Sequence, residues 1–364
     1  FGGLVRNVAR NKYSPKDVRS PEQIRRGGMQ GGDRMSFNLH GYALAYATFL
    51  KPMLIKAERE RLTLVEVGIL KGTGLATWCD LFPNANVLGL DIDPENCRKN
   101  IPFLRQLGAF KNNQPKLYEF DQYFVGSAQV ANMLQGNKID IFVDDGAHTR
   151  EAILNTFEAI KPNLADTFVA FIEDNDQIAD ELRSLLPEYR VISQGEMTVI
   201  CPDIATFPSR LPTLKQLVFE TQVMQKRLGY QPNLEYPKTF NEKIVRRKLF
   251  GAPANAALLA DKLAVRDYVK ERVGEDVLTK IYQVVNSPDQ IDWKALPKQF
   301  VMKSNHANAQ VKIVRDKATL DKKEAEALCQ KWLSSVYGKN SNEYWYSEIP
   351  PKIYFEELLL DDDK

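Results

Sequence analysis

The stretch Val65-Glu66-Val67-Gly68-Ile69-Leu70-Lys71-Gly72-Thr73-Gly74 decides the fold. An apolar, β-branched run leads into a turn that contains Gly68 and Gly72, and glycines let the backbone approach a ligand without a Cβ in the way. The turn differs from the dinucleotide fingerprint G-x-G-x-x-G, because Glu66 stands where the first glycine belongs. A carboxylate at that position would repel a pyrophosphate, whereas it suits the ammonium group of an amino acid, reached indirectly or through water.

Short β-branched runs alternate with helical stretches on both sides of this turn, which is the pattern of a doubly wound parallel α/β sheet. The last two runs are separated by only three residues, so they form an antiparallel hairpin at one edge. The predicted strands are Thr63–Val67, Asn86–Asp91, Lys116–Phe120, Ile139–Val143, Phe168–Glu173, Arg190–Ser193 and Met197–Cys201. A mostly parallel sheet that ends in a hairpin is the Rossmann-like architecture of class I methyltransferases.

The chain is too long for one ordinary domain, since cores stop growing beyond about 250–300 residues. A proline-rich stretch at Pro202–Pro212 interrupts the periodicity and predicts a linker. We therefore expect a lead-in at 1–35, a first domain at 36–205, a linker at 206–213 and a second domain at 214–364. The chain begins without methionine and stops abruptly at Lys364, so a fragment of a longer protein is one expectation.

The composition is that of a globular protein, with 44% hydrophobic residues, 26% charged residues and a formal net charge of +2. Strongly basic stretches are lacking, which argues against a nucleic-acid partner. Four cysteines have no close spacing and no neighbouring histidines, which favours free thiols in a reducing compartment over zinc or disulfides. Neither a signal peptide nor a transmembrane stretch is recognisable. The sequence thus predicts a cytoplasmic protein and leaves its oligomeric state open.

Acidic residues at strand ends predict the cofactor pocket. Asp91 ends the second strand, where a carboxylate can accept both ribose hydroxyls, although a turn or helix-capping aspartate is the alternative. Asp121-Gln122 follows the third strand, where an adenine amino group could be recognised, and an ordinary loop is equally compatible. S-adenosylmethionine fits this set better than NAD does.

A second group of polar residues follows the fourth and fifth strands. Asp145 ends the fourth strand and Glu173-Asp174 ends the fifth, so three carboxylates converge on one edge and suit Mg²⁺ or another hard divalent ion. His148 lies close enough to take a proton from a hydroxyl that the metal polarises. The alternative is that Asp144 and Asp145 cap a helix near Thr149, with His148 at the surface. Asp144, by alternation, points elsewhere or toward the cofactor.

These residues resemble the metal-dependent sugar O-methyltransferases of the macrolide-sugar type, which are related to cephalosporin-hydroxylase-like proteins. The resemblance covers about residues 33–176. It implies that Asp145, Glu173 and Asp174 hold Mg²⁺, that His148 is the general base, and that Tyr42 forms part of the cofactor pocket wall or packs against it. It is carried by Glu66-x-Gly68, Asp121-Gln122, Asp145-Gly146-Ala147-His148, Glu173-Asp174, His40-Gly41-Tyr42 and Tyr46.

The second domain is similar to ATP-grasp-like proteins of the teichuronopeptide-biosynthesis type. The similarity is carried by the stretches 237–243, 260–266 and 300–306. It implies that Lys262 and Lys303 contact the phosphates of ATP and that Glu356 helps to hold adenosine, whereas ordinary solvated lysines are the alternative. Ala307-Asn308-Ala309-Gln310 replaces the family's glycine-rich loop, and the Cβ atoms would hinder close approach of phosphates. We therefore expect a truncated or degenerate module.

Together these features predict an S-adenosylmethionine- and Mg²⁺-dependent O-methyltransferase that acts on a sugar hydroxyl in bacterial surface or capsular polysaccharide biosynthesis. The expected partners are a sugar or glycan acceptor, with a second copy of the chain or other glycan-biosynthesis enzymes also compatible. Two alternatives belong to other classes. One is an ATP-dependent ligase that attaches an amino acid or similar group to a polysaccharide, and the other is a non-catalytic scaffold.

Overall fold

The computed structural model describes residues 34, 42–234, 237–338 and 341–359. Apart from Arg34, the predicted lead-in of residues 1–35 lies outside the described residues, and so do His40 and Gly41. Contacts divide the chain into two compact units, Phe1–Gly251 and Ala252–Lys364. No described helix is both long and apolar enough to cross a bilayer. All four cysteines are buried and carry free thiols.

The first unit is built on a seven-stranded sheet. Its strands are β1 (Thr63–Val67), β2 (Asn86–Asp91), β3 (Lys116–Glu119), β4 (Ile139–Asp144), β5 (Leu164–Ile172), β6 (Tyr189–Gln194) and β7 (Met197–Pro202). The order is β3-β2-β1-β4-β5-β7-β6, with β1 to β5 parallel and β7 antiparallel to both of its neighbours. The predicted doubly wound sheet with an edge hairpin is confirmed.

Helices cover both faces of this sheet. They are α1 (Ala43–Ala57), α2 (Thr73–Leu81), α3 (Glu95–Gln106), α4 (Ser127–Leu134), α5 (Arg150–Ile160), α6 (Ile178–Leu185), α7 (Leu214–Leu228) and α8 (Phe240–Phe250). The central strand β1 is buried along its whole length. Leu64 joins the hydrophobic cluster on one face, while Val65 and Val67 join the cluster on the other, as alternation along a strand requires. Because β1, β2, β4 and β5 run parallel to one another, their carboxyl ends lie at the same edge of the sheet.

The compact units do not divide at the predicted linker 206–213, because the division falls after Gly251. Leu217 and Met224 of α7, and Val245 and Leu249 of α8, are buried in the same hydrophobic cluster as α1 and one face of the sheet. The proline-rich stretch changes the direction of the chain without ending the core. Proline content reports local conformation, whereas a unit ends where buried contacts cease to cross.

Glu242, in the first turn of α8, closes the loop before this helix. Its carboxylate accepts the backbone amides of Asn233, at 2.8 Å, and of Lys238 and Thr239, both at 2.9 Å. Thr239 in turn accepts the amide of Glu242, which completes a capping box. Hydrogen bonds from the amides of Asn233, Thr239 and Lys238 favour the charged form and lower the pKa of Glu242 to about 2.

Glu242→Gln is expected to lower the free energy of unfolding of the first unit by about 1.5–3 kcal/mol at pH 7, because an ionised acceptor is lost. The pKa of Glu242 is lower in the folded state than its usual value of 4.5. The stabilisation is therefore complete above that value and is lost as the pH falls towards about 2. Urea titrations at pH 7 and pH 3 test this. A gap between wild type and variant that is equally large at both pH values would contradict it.

The second unit contains a four-stranded antiparallel sheet with helices. Its strands are β8 (Ile281–Val285), β9 (Phe300–Ser304), β10 (Val311–Val314) and β11 (Ile353–Glu356), and its helices are α9 (Ala256–Ala260), α10 (Ala264–Val273) and α11 (Lys322–Leu333). The order is β10-β9-β11-β8. Helices α9 and α10 are separated at Asp261, whose backbone is extended and whose side chain accepts hydrogen bonds from the backbone amide of Leu263 and the side-chain amide of Asn305.

Candidate functional site

A cavity of about 470 Å³ opens at the carboxyl edge of the first unit's sheet. It lies where the chain order reverses between β1 and β4, the position at which doubly wound sheets bind ligands. Most of the predicted site residues line it together, and Tyr42, Glu66 and Gly72 are not part of the lining. The predicted residues in the lining are Gly68, Asp91, Asp121, Gln122, Asp145, His148, Glu173 and Asp174.

The glycine turn is held in place by Asp91. Its Oδ2 accepts the amides of Ile69 at 3.0 Å and Leu70 at 3.1 Å, while Oδ1 accepts the amide of Asp93 at 3.0 Å. Gly68 has φ of +79°, and a Cβ there would lie 1.9 Å from the carbonyl oxygen of Asp145. The turn thus requires glycine for conformation and for space. Asp91 acts as a turn aspartate while it also faces the cavity.

Gln122 anchors the loop that follows β4. Its Oε1 accepts the amide of Ala147 at 2.7 Å, and its Nε2 donates to both oxygens of Asp144, at 2.9 and 3.1 Å. Asp144 is fully buried, and this burial raises its pKa to about 6 although the amide of Gln122 opposes the rise. Asp144 therefore turns toward Gln122. Asp121 accepts the amide of Tyr123 at 2.9 Å, as in an ordinary turn, and lines the cavity.

Asp145, His148 and Asp174 converge at the cavity. Nε2 of His148 lies 3.9 Å from Oδ1 of Asp145 and 3.8 Å from Oδ2 of Asp174. One ligand atom from each residue lies within 4.8 Å of the other two, which is the spacing of a possible metal site. His148 and Asp174 both have left-handed backbones, with φ of 55° and 57°. Such strain in residues other than glycine clusters at functional sites.

Glu173 is held differently. Its Oε1 accepts the hydroxyl of Tyr46, and its Oε2 accepts Nε of Arg34 at 3.0 Å. Only 2% of Glu173 is exposed, and burial raises its pKa although the neighbouring Arg34 charge opposes the rise. Of the predicted metal ligands, Asp145 and Asp174 each have one oxygen within 3.9 Å of Nε2 of His148, whereas the two oxygens of Glu173 accept hydrogen bonds from Tyr46 and Arg34.

Arg34 also lines the cavity and was not among the residues predicted from the sequence. Its guanidinium donates to Glu66 at 2.6 Å, to Asp145 and to Glu173, and it lies 5.8 Å from the ring centre of Trp78. No local spacing marks it, because it lies in a basic, Gly-rich stretch. Tyr42 and Tyr46 were named from the sequence through the resemblance, and their spacing supports a shared role, since residues four apart share one face of a helix. Tyr42 donates its hydroxyl to Asp174.

The three candidate nucleotide-binding residues of the second unit lie close together. Nζ of Lys303 pairs with Oε1 of Glu356, and Oε2 of Glu356 accepts the hydroxyl of Thr279 at 2.7 Å. Nζ of Lys262 donates to the carbonyl oxygens of Asn305 and Ala307. Burial lowers the pKa of Lys262, and repulsion from Lys303 lowers it further. Neither lysine is simply solvated.

Residues 242–363 match the model of the family described as TupA-like ATPgrasp. The match covers less than half of the chain and confirms the ATP-grasp-like resemblance for this part. No curated protein matches the sequence.

Several solved structures are similar to part of the chain. One is the MycE methyltransferase of the mycinamycin biosynthetic pathway in complex with Mg and SAH, at 17% identity and a TM-score of 0.36, covering 46% of this chain and 50% of that chain. An O-methyltransferase family protein from Burkholderia thailandensis matches at 16% identity and a TM-score of 0.27, covering 44% and 58%. A SAM-dependent methyltransferase from Aquifex aeolicus matches at 14% and 0.29, covering 43% and 92%. The chain spans about half the length of MycE. The assignment of the fold is based on the strand order of the sheet and not on these similarities.

Proposed function

We propose that the first unit is an S-adenosylmethionine-dependent, metal-assisted O-methyltransferase that acts on a sugar hydroxyl in bacterial surface polysaccharide biosynthesis. One observation carries the proposal. The glycine turn with Asp91 and the cluster of Asp145, His148 and Asp174 line the same cavity, at the edge where parallel sheets bind nucleotides. A cofactor and an ionisable, metal-binding group can therefore meet one acceptor.

The charge of the cavity fits this cofactor. Five carboxylates line it, and the basic groups among the lining residues are Arg34 and His148. Such a lining repels the phosphates of NAD and is compatible with a nucleoside that carries a cationic sulfonium. The volume also lies within the range of about 300–1,000 Å³ that is usual for small-ligand pockets. The lining carboxylates are Asp91, Asp121, Asp145, Glu173 and Asp174.

The residues also fit a divalent cation. When bound, such a cation supplies a Lewis acid that makes an acceptor hydroxyl easier to deprotonate. In the form proposed from the sequence, Asp145, Glu173 and Asp174 hold Mg²⁺ and His148 accepts the proton of the hydroxyl. If Glu173 binds the cation, its carboxylate must give up the hydrogen bonds that it accepts from Arg34 and Tyr46. The acceptor hydroxyl is proposed to lie beside Nε2 of His148.

Asp91→Asn is expected to weaken binding of S-adenosylhomocysteine about 10- to 100-fold, because a charged acceptor for ribose hydroxyls is worth about 1.5–3 kcal/mol. Asp93→Asn is the matched control. It removes a carboxylate that accepts the amide of Glu95 at 3.0 Å and does not line the cavity. Isothermal titration calorimetry on both variants tests the role of Asp91. Equal affinities in both variants would contradict it.

The second candidate function is an ATP-dependent ligase in the second unit. It is favoured by the proximity of Lys303, Glu356 and Lys262 and by the family match to residues 242–363. Parallel titrations with S-adenosylhomocysteine and ATP separate the candidates. Binding of the first alone supports methyl transfer, and binding of ATP alone, weakened by Lys303→Ala, supports the ligase. Binding of neither would support a non-catalytic scaffold.

A further inference from the structure

We infer that the outer face of α8 is a peripheral membrane-binding surface whose partner is a bilayer of anionic phospholipids. This face consists of four exposed residues on two turns of the helix, which we call the outer stripe: Phe240, Lys243, Ile244 and Arg247. The inference goes beyond the proposed function and does not depend on it, because no residue of the outer stripe lines the cavity at the sheet edge.

Helix α8 has one face in the core and the opposite face in solvent. Val245 and Leu249 are buried in the hydrophobic cluster on one face of the sheet. The residues of the outer stripe follow the spacing i, i+3, i+4 and i+7, and residues with this spacing share one face of a helix. Phe240 is 74% exposed and Ile244 is 36% exposed. The solvent face therefore presents apolar side chains between two basic ones.

The surface around α8 is more basic than its sequence suggests. Residues 213–251 contain eight lysines and arginines and three glutamates. Two of these glutamates, Glu220 and Glu242, are buried, and Glu235 lies outside the described residues. The carboxylate of Glu242 also accepts three backbone amides of the loop before α8. Lys243 and Arg247 therefore give the outer stripe a positive charge.

The end of α7 extends this surface. The hydroxyl oxygen of Tyr230 lies 2.9 Å from that of Thr239, so the loop between the two helices brings the last turn of α7 close to the first turn of α8. Leu228, in that last turn, is 40% exposed and follows two exposed basic residues. A second apolar side chain beside positive charges therefore lies near Phe240.

An anionic bilayer matches both properties of this surface. Exposed apolar side chains can enter the boundary between headgroups and acyl chains, while neighbouring lysines and arginines attract anionic headgroups. A second copy of the chain is a poorer partner, because two outer stripes would bring like charges together. A nucleic acid would attract the basic residues, but it offers no apolar phase for Ile244 and Leu228.

Co-sedimentation of the full chain with vesicles tests the inference. Wild type should bind vesicles that contain phosphatidylglycerol and phosphatidylcholine, and should not bind phosphatidylcholine alone. High salt should release it, since salt screens exposed charges. The double variant Lys243→Glu/Arg247→Glu should lose about 10- to 100-fold in partition coefficient, and Phe240→Ser should lose about tenfold. Equal binding of wild type to both kinds of vesicle, or unchanged binding of the double variant, would overturn the inference.

Matched controls lie on α3, which carries exposed residues of the same types. They are Lys99→Glu/Arg105→Glu, with the same change of charge, and Phe103→Ser, at a position that is 44% exposed. Both should bind anionic vesicles as wild type does. Losses as large as those of the outer-stripe variants would show a response to total charge or to any exposed ring, and would contradict the inference. All substituted residues are exposed, so thermal unfolding followed by circular dichroism should match that of wild type.

Insertion into the bilayer is tested with an environment-sensitive fluorescent label. The four native cysteines are buried, so an added cysteine at an exposed position can be labelled selectively. A label on Phe240→Cys should brighten and shift to the blue with anionic vesicles, whereas a label on Phe103→Cys should not change. The same response at both positions would overturn the inference. Tighter binding to a single-stranded oligonucleotide than to anionic vesicles would also overturn it, in favour of a nucleic-acid surface.

Discussion

Replacing His148 with alanine is expected to abolish methyl transfer while the affinity for S-adenosylhomocysteine changes by less than about threefold. As the proposed base, His148 is expected to contribute about 10²–10⁴-fold to the rate. The imidazole lies at the Asp145 and Asp174 side of the cavity, whereas the turn that would hold the cofactor is tied down by Asp91. The variant should therefore lose turnover and keep its affinity for the cofactor.

The left-handed backbone of His148 makes a control variant necessary, because alanine at φ of 55° adds backbone strain of its own. His148→Asn removes the imidazole with a residue that tolerates left-handed backbone. Both variants should be inactive. An active asparagine variant would mean that strain in the loop, and not loss of the imidazole, stopped the reaction. Full activity of His148→Ala, or of wild type stripped of metal with EDTA, would contradict the proposed chemistry.

Much of the first unit could be predicted, because short local sequence patterns indicate its strands and helices. Buried parallel strands read as β-branched runs, and each strand's last residue lies at the shared edge. This is why Asp91, Asp145 and Asp174 could be assigned to one cavity from the sequence. The same reasoning placed Glu173 with them. It could not show that the Glu173 carboxylate points toward Arg34, since alternation assigns a face and not a partner.

Residues whose role depends on distant partners escaped prediction. Arg34 meets Glu66, Asp145 and Glu173, which are separated from it by 32, 111 and 139 positions. Nothing in the sequence near Arg34 marks these contacts. The division after Gly251 has a related cause, because α7 and α8 pack with the sheet through contacts between residues that are distant in sequence. Only the folded structure shows that Leu217 and Leu249 are buried with the core of the sheet.

Gly68→Ala is expected to destabilise the first unit by about 3–5 kcal/mol, as overpacking and left-handed strain combine. The added Cβ would lie 1.9 Å from the carbonyl oxygen of Asp145 and 2.7 Å from Cα of Gly146. These are backbone atoms, so relief requires the turn after β1 to move away from the end of β4. A shift of about 1 Å in a reacting geometry can cost roughly 10² in rate. Thermal unfolding and S-adenosylhomocysteine titration should both show large losses.

The variant Gly136→Ala separates the effect of overpacking from that of left-handed backbone strain. Gly136 also has positive φ, +84°, but a Cβ there would meet no atom within 4 Å. Only the conformational cost remains, about 1–2 kcal/mol, and cofactor affinity should equal that of wild type. If the two variants lose equal stability, the close approach of Gly68 to Asp145 contributes nothing. If Gly68→Ala still binds S-adenosylhomocysteine as wild type does, the turn does not form the cofactor pocket. The proposed methyl transfer would then lose the feature that links the cofactor to Asp145 and His148.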